Sequence, residues 1–451
     1  MNKFIGNKAF YKATLSIAVP IMLQQFIATF VNLIDNIMIG SVGSLALTSV
    51  TVANKVYLIF NSTMFGICGA AGIFIAQYYG AKEHQKCQKV FDINIVCCFT
   101  VACFFISALL FYPRQLMEIF THNEAVIQES LRYIRFAILT YIPYAISYST
   151  MMALRAININ RIQLRIGIIT VLTNTVLNYI LIFGHFGLPA LGIQGAAIAT
   201  AIARSLEMII YLVLLVKHQY LLTISFSIFH LDLSLIQSMI KKAIPLTMNE
   251  ILFSLGLTMI FLSYMRCDES LIAAISVEDT VMQIAYIIFG GLSSAISILI
   301  GNRLGANQIQ EAKDNAYRLI AFGVCVGVGI SCILAFVAPM IASFYNVSNL
   351  IKETIISLLR IKALILPVYV YNISIFFILR AGGDTLSTML MDSVFLWCFG
   401  VLLSTVLSVF FQLDLLILFM IVESCDLMKI FVATYFFRKE KWAKNITITH
   451  S

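Results

Sequence analysis

Charged residues are scarce in this sequence of 451 residues: Asp, Glu, Lys and Arg make up 12% of the chain, whereas 60% of its residues are hydrophobic. The mean hydropathy of +0.93 is higher than a water-soluble domain of this length carries. The composition therefore excludes a soluble protein and predicts an integral membrane protein. The first apolar segment is too long for a signal peptide, so we expect it to remain as the first membrane helix.

Patterns that would indicate catalysis or a structural metal are also lacking. The six histidines are scattered, and the chain contains neither the H-E-x-x-H pattern of zinc hydrolases nor the G-x-S-x-G pattern of serine hydrolases. The ten cysteines lie mostly in apolar stretches without the spacing of metal ligands, which favours a packing role over disulfides. We therefore expect a protein that is not an enzyme and that has no cofactor.

The sequence does contain an internal repeat. When the second half of the chain is aligned with the first without gaps, Pro245 falls on Pro20 and the Leu-Arg-Ala run at 379–381 falls on the same run at 154–156. Because the matching segments lie within or beside long apolar stretches, the repeated unit is a set of membrane helices. The interface between two such halves is where many transporters hold their substrate.

Twelve stretches are long and apolar enough to cross a bilayer, which takes about 20 residues. They lie near residues 13–39, 46–76, 90–112, 130–154, 163–184, 192–216, 241–265, 271–301, 315–340, 354–379, 388–412 and 415–437. Six spans per half give both copies the same orientation. We predict an all-α membrane protein with twelve transmembrane helices in two parallel six-helix repeats: an N-terminal lobe at 1–216, a cytoplasmic connector at 217–240 and a C-terminal lobe at 241–451.

Lysine and arginine are distributed unequally between the predicted loops. Most of them lie on the side of the two termini, and the opposite loops contain only Arg114, Arg132, Arg266 and Lys352. Because positively charged loops stay in the cytoplasm, both termini are predicted to be cytoplasmic, in a multi-pass protein of the cell membrane. The formal charge of +8 is explained by this orientation signal without a nucleic-acid partner. A lipid-binding basic surface remains an alternative explanation.

Polar residues occur inside the predicted spans, where they are costly and indicate a functional site. In the first span, Gln25 and Asn32 share one helical face, which Asp35 borders. In the fifth span, Asn174 and Asn178 extend a stripe that begins at Thr170. This pattern predicts a cavity whose oxygen atoms could bind a hard cation. The alternatives are an interfacial acid at position 35 and hydrogen bonds that merely join helices.

The second half has acids at other positions. Glu250 aligns with Gln25 in the repeat, and Glu278 and Asp279 lie two turns into the eighth span. They are candidates for substrate binding or coupling, although Glu278 and Asp279 could also form an acid pair at the outer mouth or face Lys55. Tyr141 belongs to a tyrosine cluster near Pro143 that could attract an organic cation, although tyrosines are also common at membrane interfaces.

Several motifs together resemble the multidrug and toxic-compound extrusion (MATE) family across nearly the whole chain. They are Ala-Val-Pro at 18–20, Ile-Asp-Asn-Ile-Met-Ile-Gly at 34–40, Ala-Gln-Tyr-Tyr-Gly-Ala at 76–81, Leu-Arg-Ala at 154–156 and the stretch 174–204. The resemblance implies a V-shaped, twelve-helix antiporter that exports organic cations, drugs and toxic compounds in exchange for sodium ions or protons. It also implies alternating access, in which the two lobes open the site to each side of the membrane in turn.

The same resemblance implies a cation site formed by Asp35, Asn174, Asn178 and Thr200. If sodium is the coupling ion, its ligands would include Asp35, Asn174 and Asn178, with no further cofactor. The chain departs here from members that rely on an Asp at the position of Asn178.

Some members place a second site on helices 7 and 10, for which this chain offers Glu250 and Asn372. We expect small organic cations as substrates, the lipid bilayer as surroundings and a monomeric protein. The alternative function is that of a lipid-linked oligosaccharide or lipid flippase of the same superfamily, which would prefer a basic cavity.

Overall fold

The computed structural model describes residues 3–217, 222–223, 233–267, 271–345, 347–411 and 413–447, and no β-strand occurs among them. Twelve long helices make up almost all of this part of the chain. They are α1 Lys8–Val42, α2 Ser44–Gly80, α3 His84–Phe111, α4 Glu124–Ala156, α5 Arg161–Phe183, α6 Ile193–Lys217, α7 Leu233–Cys267, α8 Ile272–Gly305, α9 Ile309–Ser343, α10 Asn349–Ala381, α11 Thr385–Phe411 and α12 Leu415–Arg438. The all-α prediction is confirmed, and each helix corresponds to one predicted span.

Eleven of the helices in the described residues, α1 to α11, are long and apolar enough to cross a membrane. The helix α12 is also 24 residues long, but Glu423, Asp426 and Lys429 fall in every window of 18 residues along it. At the predicted connector, residues 217–240, α6 ends at Lys217 and α7 begins at Leu233. Residues 218–221 and 224–232 of that connector lie outside the described residues.

The repeat is visible in the backbone of the turns as well as in the sequence. Lys82 and Asn307, which are equivalent positions in the two halves, both have a positive φ, of 61° and 58°. Asn158 and Gly383, which are also equivalent, have φ values of 66° and 75°. Left-handed backbone is uncommon outside glycine, although asparagine tolerates it. The same turn is therefore built twice, after α2 and α8 and again after α4 and α10.

The described helices pack into two compact units whose limits also follow the repeat. The first unit contains the residues up to Met22 together with those from Met248 onward, and the second runs from Leu23 to Thr247. Each limit lies just after the helix proline, Pro20 in α1 and Pro245 in α7. The first helix of each half is thus shared between the units. These units are defined by contacts, and the lobe limits predicted from the repeat stay a prediction.

In each unit, the N-terminal part of a first helix packs closely against a helix of the other half at a glycine. In the first unit, a Cβ atom on Gly291 of α8 would lie 2.8 Å from the carbonyl oxygen of Ala18 and would overlap the side chain of Met22. In the second unit, a Cβ atom on Gly66 of α2 would lie 2.6 Å from the Cα atom of Thr247. Gly66 and Gly291 are equivalent positions in the repeat, and so are Met22 and Thr247. The backbones approach this closely only because both positions lack a side chain.

We expect Gly66→Ala and Gly291→Ala to destabilise the protein, because the added methyl group must displace backbone atoms of the crossing helix. Overpacking of this kind costs about 1–3 kcal/mol. The matched control is Gly72→Ala, since no atom lies within 4 Å of a Cβ atom at that position of α2. Thermal unfolding in detergent should show lower midpoints for the first two variants and an equal or higher midpoint for the control. An unchanged midpoint for both test variants would contradict the close contact.

Candidate functional site

A polar cavity of about 170 Å³ lies within the second unit, between α1, α5 and α6. Its wall combines apolar side chains with a small number of polar ones. The polar lining consists of Gln24, Asn32, Asp35, Thr170, Asn174, Thr200, Arg204 and Glu207. A cavity of this size holds an ion with a few water molecules, and it is smaller than the roughly 300–1,000 Å³ of sites for drug-sized ligands.

A chain of hydrogen bonds crosses the cavity from α1 to α6. The side-chain amide of Asn178 donates to Asp35 Oδ1 over 2.7 Å and to Asn174 Oδ1 over 3.3 Å. The amide of Asn174 donates to Thr200 Oγ1 over 3.3 Å, and the hydroxyl of Thr200 donates to the carbonyl of Ala196. The four residues that the resemblance assigned to a cation site are therefore linked to one another by hydrogen bonds.

Helix geometry explains why these side chains meet. Thr170, Asn174 and Asn178 are spaced by four residues, so they share one face of α5. All three are buried, and the exposed fraction of Asn178 is 1%. The Oδ1 atom of Asn178 is buried without a hydrogen-bond partner among the described residues. A buried acceptor without a donor costs about 1–3 kcal/mol, and such an oxygen is a suitable ligand for a hard cation.

Two charged residues of the cavity were not among the candidates from sequence. Arg204 Nη1 lies 2.8 Å from Glu207 Oε2, and the Arg204 guanidinium also lies 5.1 Å from the ring centre of Tyr144. Glu207 is largely buried, with 9% of its side chain exposed, against 35% for Arg204. Their i, i+3 spacing inside an apolar span was the available signal, because charges inside a membrane helix usually face a cavity or each other.

Three predicted residues of the N-terminal half are not part of the cavity wall. Asn178 is one of them, although it is hydrogen-bonded to Asp35 and Asn174, and the others are Gln25 and Tyr141. Gln25 is half-buried on α1 but is not part of the wall, whereas its neighbour Gln24 is. Gln24 accepts a hydrogen bond of 3.2 Å from Arg155. Tyr141 is 3% exposed and packs against Phe60, at 4.6 Å between ring centres, and against Tyr57. The tyrosine cluster is therefore part of the core, and Arg204 already covers a face of Tyr144.

Glu250 lies in the first unit, where an arginine compensates its charge. Arg380 Nη1 lies 3.3 Å from Glu250 Oε1, and the side chain of Arg380 is 5% exposed. Arg380 is the repeat counterpart of Arg155, so both arginines reach the first helix of their own half. Asn372, the candidate on the tenth predicted span, donates to the backbone carbonyl of Asp426.

A neighbouring group joins α7, α11 and α12 of the same unit. Asp392 lies in a π-helical turn of α11 at 390–394, where Lys429 Nζ approaches its Oδ1 atom to 2.7 Å and Asn249 donates to its Oδ2 atom. Glu278 is buried on α8 and Asp279 beside it is exposed. The described residues contain no group of three or more His, Cys, Asp or Glu side chains that could hold a metal ion.

Comparison with known proteins assigns the fold and the family. A sequence model of the MatE family matches residues 20–180 and again residues 245–406. The two matches begin at equivalent positions of the repeat, Pro20 and Pro245, and together they cover most of the chain. The chain belongs to the MatE family. It is therefore a multi-pass membrane transporter, and the repeated match agrees with the two-repeat fold.

Named relatives resemble the chain over most of their length. The probable multidrug resistance protein NorM of Listeria monocytogenes serovar 1/2a is 27% identical over 367 residues, or 79% of each protein. The protein of the same name from Idiomarina loihiensis is 22% identical over 415 residues, or 90% of this chain and 88% of the relative. A crystal structure of the Vibrio cholerae MATE transporter VcmN, solved as a mutant, superimposes with a TM-score of 0.88 at 17% identity, covering 96% of this chain and 98% of the other.

The ion pair in the cavity leads to a stability test. We expect Glu207→Gln to destabilise the transporter more than Arg204→Gln, because an arginine that loses its carboxylate cannot shed its charge, whereas a glutamate can take up a proton. The cost of leaving a buried polar group without its partner is about 1–3 kcal/mol, and more for a charged group. Thermal unfolding of both variants and of the double variant Arg204→Gln/Glu207→Gln measures this, and the double variant should recover part of the loss. Equal effects of the two single variants would argue against the pair.

Proposed function

We propose that this transporter exports small organic cations, including drugs and toxic compounds, in exchange for a sodium ion or a proton that binds at Asp35. The observation that carries the proposal is an acidic side chain inside a membrane helix, at the wall of a cavity, with the uncharged Asn178 as its hydrogen-bond partner. An ionised carboxylate in such surroundings is stabilised by a cation. The multidrug-resistance names of the relatives support export over the flippase alternative.

The oxygen atoms around Asp35 suit a sodium ion. Asp35 supplies a carboxylate, Thr200 a hydroxyl, and Asn174 and Asn178 carbonyl oxygens, of which the Asn178 oxygen has no donor within the described part of the protein. Hard cations prefer such ligands. A proton would instead bind to Asp35 alone, because asparagine at 178 cannot take part in a proton relay. The two coupling ions therefore use different subsets of the same residues.

The Arg204–Glu207 pair limits how many cations the cavity can hold. Arg204 places a fixed positive charge in the same wall as Asp35, and at 2.8 Å it is compensated by Glu207 rather than by Asp35. When one cation is bound at Asp35, both acids of the wall are neutralised, Asp35 by the cation and Glu207 by Arg204. A second cation would be repelled by the guanidinium group of Arg204 and would find no unpaired carboxylate in that wall. This supports exchange, in which binding of one cation opposes retention of another.

The driving force depends on the charge that moves. One elementary charge crossing 100 mV gains about 2.3 kcal/mol, which corresponds to a concentration ratio of roughly fifty. If a monovalent substrate leaves in exchange for one monovalent ion, the charges cancel and only the chemical gradient of the ion drives export. The distribution of Lys and Arg supports an orientation in which both termini face the cytoplasm and the substrate enters from that side.

We expect Asp35→Asn to insert and fold but to lose ion-driven efflux, because the amide keeps the size of the carboxylate and removes its charge. The measurement is efflux of a fluorescent organic cation from proteoliposomes under a sodium gradient and, separately, under a proton gradient. Asn178→Ala should weaken sodium-driven transport more than proton-driven transport, since it removes an oxygen ligand but leaves the carboxyl group of Asp35 in place to bind a proton.

Glu353→Gln serves as the control for these measurements, because this exposed acid of α10 is outside the cavity wall and is not a candidate site residue. Wild-type efflux in the Asp35→Asn variant under both gradients would overturn the proposal. Loss of efflux in the control would instead indicate a general effect of removing acids.

A further inference from the structure

Three helices of the first unit contain buried charges that the proposed coupling at Asp35 does not use. Lys362 of α10 approaches Glu423 of α12 to 2.6 Å between Nζ and Oε1, and their side chains are 17% and 15% exposed. The same ammonium group lies 5.6 Å from the ring centre of Phe419. In this arrangement one carboxylate fully compensates the charge of Lys362.

Glu278 of α8 is an acid without such compensation. Its residue is 2% exposed, and its Oε1 atom is buried with no hydrogen-bond partner in the described residues. None of the ion pairs within 4.0 Å among those residues includes it. An ionised carboxylate left alone in such a place costs several kcal/mol, so the stable form here is the neutral acid. We therefore expect Glu278 to be protonated in this arrangement.

The register of the helices brings Glu278 and Lys362 to the same level. Because α9 reverses the chain between them, α8 and α10 run in the same direction. Tyr286 of α8 contacts Tyr369 of α10 at 5.1 Å between ring centres. Glu278 precedes Tyr286, and Lys362 precedes Tyr369, by about two helical turns each. Glu278 and Lys362 thus lie two turns beyond an observed contact. Glu278 shares its face of α8 with Phe289, whose ring also lies 6.5 Å from that of Tyr369 between centres.

The groups around this pair come from each packed helix. On α7, the Tyr264 ring lies 5.5 Å from the ring of Phe419, and its hydroxyl is buried without a partner in the described part of the chain. The charges that act on Glu278 are those of Lys362, Glu423 and Asp279. Asp279 is exposed. Asp426 of α12 is a further acid beside this group, and Lys429 is the positive charge that acts on it most. Lys362 is therefore left to balance the two glutamates.

We propose that Glu278 and Glu423 share one bound proton, with Lys362 pairing with whichever of the two is ionised. In the observed arrangement Lys362 pairs with Glu423, and Glu278 carries the proton. When the ammonium group moves to Glu278, the Glu278 O–H bond breaks, Glu423 takes up a proton, and the total charge of the group is unchanged. The first unit therefore has a proton site of its own, on residues distinct from those around Asp35.

The test is infrared spectroscopy of the full-length protein in lipid nanodiscs at neutral pH, which detects the carbonyl stretch of protonated carboxyl groups. The difference spectrum between wild type and Glu278→Gln should contain one such band. An exposed acid of α10 that lies outside this group gives the control: Glu353→Gln should leave the band in place. If the Glu278→Gln variant does not fold, Glu278→Asp should shift the band rather than remove it.

Two further variants test the role of the lysine. In Glu423→Gln we expect the band of Glu278 to disappear although Glu278 is still present, because Lys362 then pairs with it and ionises it. The double variant Lys362→Gln/Glu423→Gln should restore the band. Persistence of the band in Glu278→Gln would overturn the assignment of the proton, and persistence in Glu423→Gln would overturn the sharing.

These measurements need no transport. Asp35→Asn should retain the band, so a failure of the cation site at Asp35 and a failure of the proton site give different results.

Discussion

The close approach of helix backbones at Gly66 and Gly291 is the constraint on which the rest of this transporter depends. Each glycine lets the first helix of a half pass at a distance that any side chain would prevent. Beyond this crossing, α1 continues into the second unit with Asp35, and α7 continues into the first unit with Glu250. Two backbone contacts at glycines thus set the course of the helices that contain Asp35 and Glu250.

Buried charge is handled differently in the two units. In the second unit Asp35 accepts a hydrogen bond from the uncharged Asn178, and the ion pair of the cavity wall lies on α6. In the first unit, internal lysines and arginines pair with Glu250, Asp392 and Glu423. Removing a partner from such pairs is costly, because it leaves a charge in a medium of low polarity. Asp35 in the first half of the sequence is thus accessible to a bound cation, whereas the named acids of the second half are already paired with lysine or arginine side chains.

Sequence reasoning predicted the fold because the fold follows from periodicity and the repeat, whereas the group of Asp35, Asn174, Asn178 and Thr200 came from the resemblance to the MATE family. The stripe of Thr170, Asn174 and Asn178 is a local property of one helix, and the repeat aligned the two halves without gaps. The pairing of Glu250 with Arg380 could not be predicted, because these residues are 130 positions apart and several basic residues were available as partners. Lys362 and Glu423 were overlooked for a related reason, since hydropathy averages over a span and does not reveal a single charge within it.

The division of α1 and α7 between the compact units bears on how the transporter arose. In the present chain, the N-terminal part of each first helix packs against a glycine of the other half. A single six-helix repeat would therefore lack the glycine that its first helix packs against. Two copies exchanging the N-terminal parts of their first helices would complete each other, as in domain-swapped dimers. The duplicated chain has the arrangement of such a dimer with the two copies joined, and gene fusion would then have replaced an association between two molecules by a covalent link.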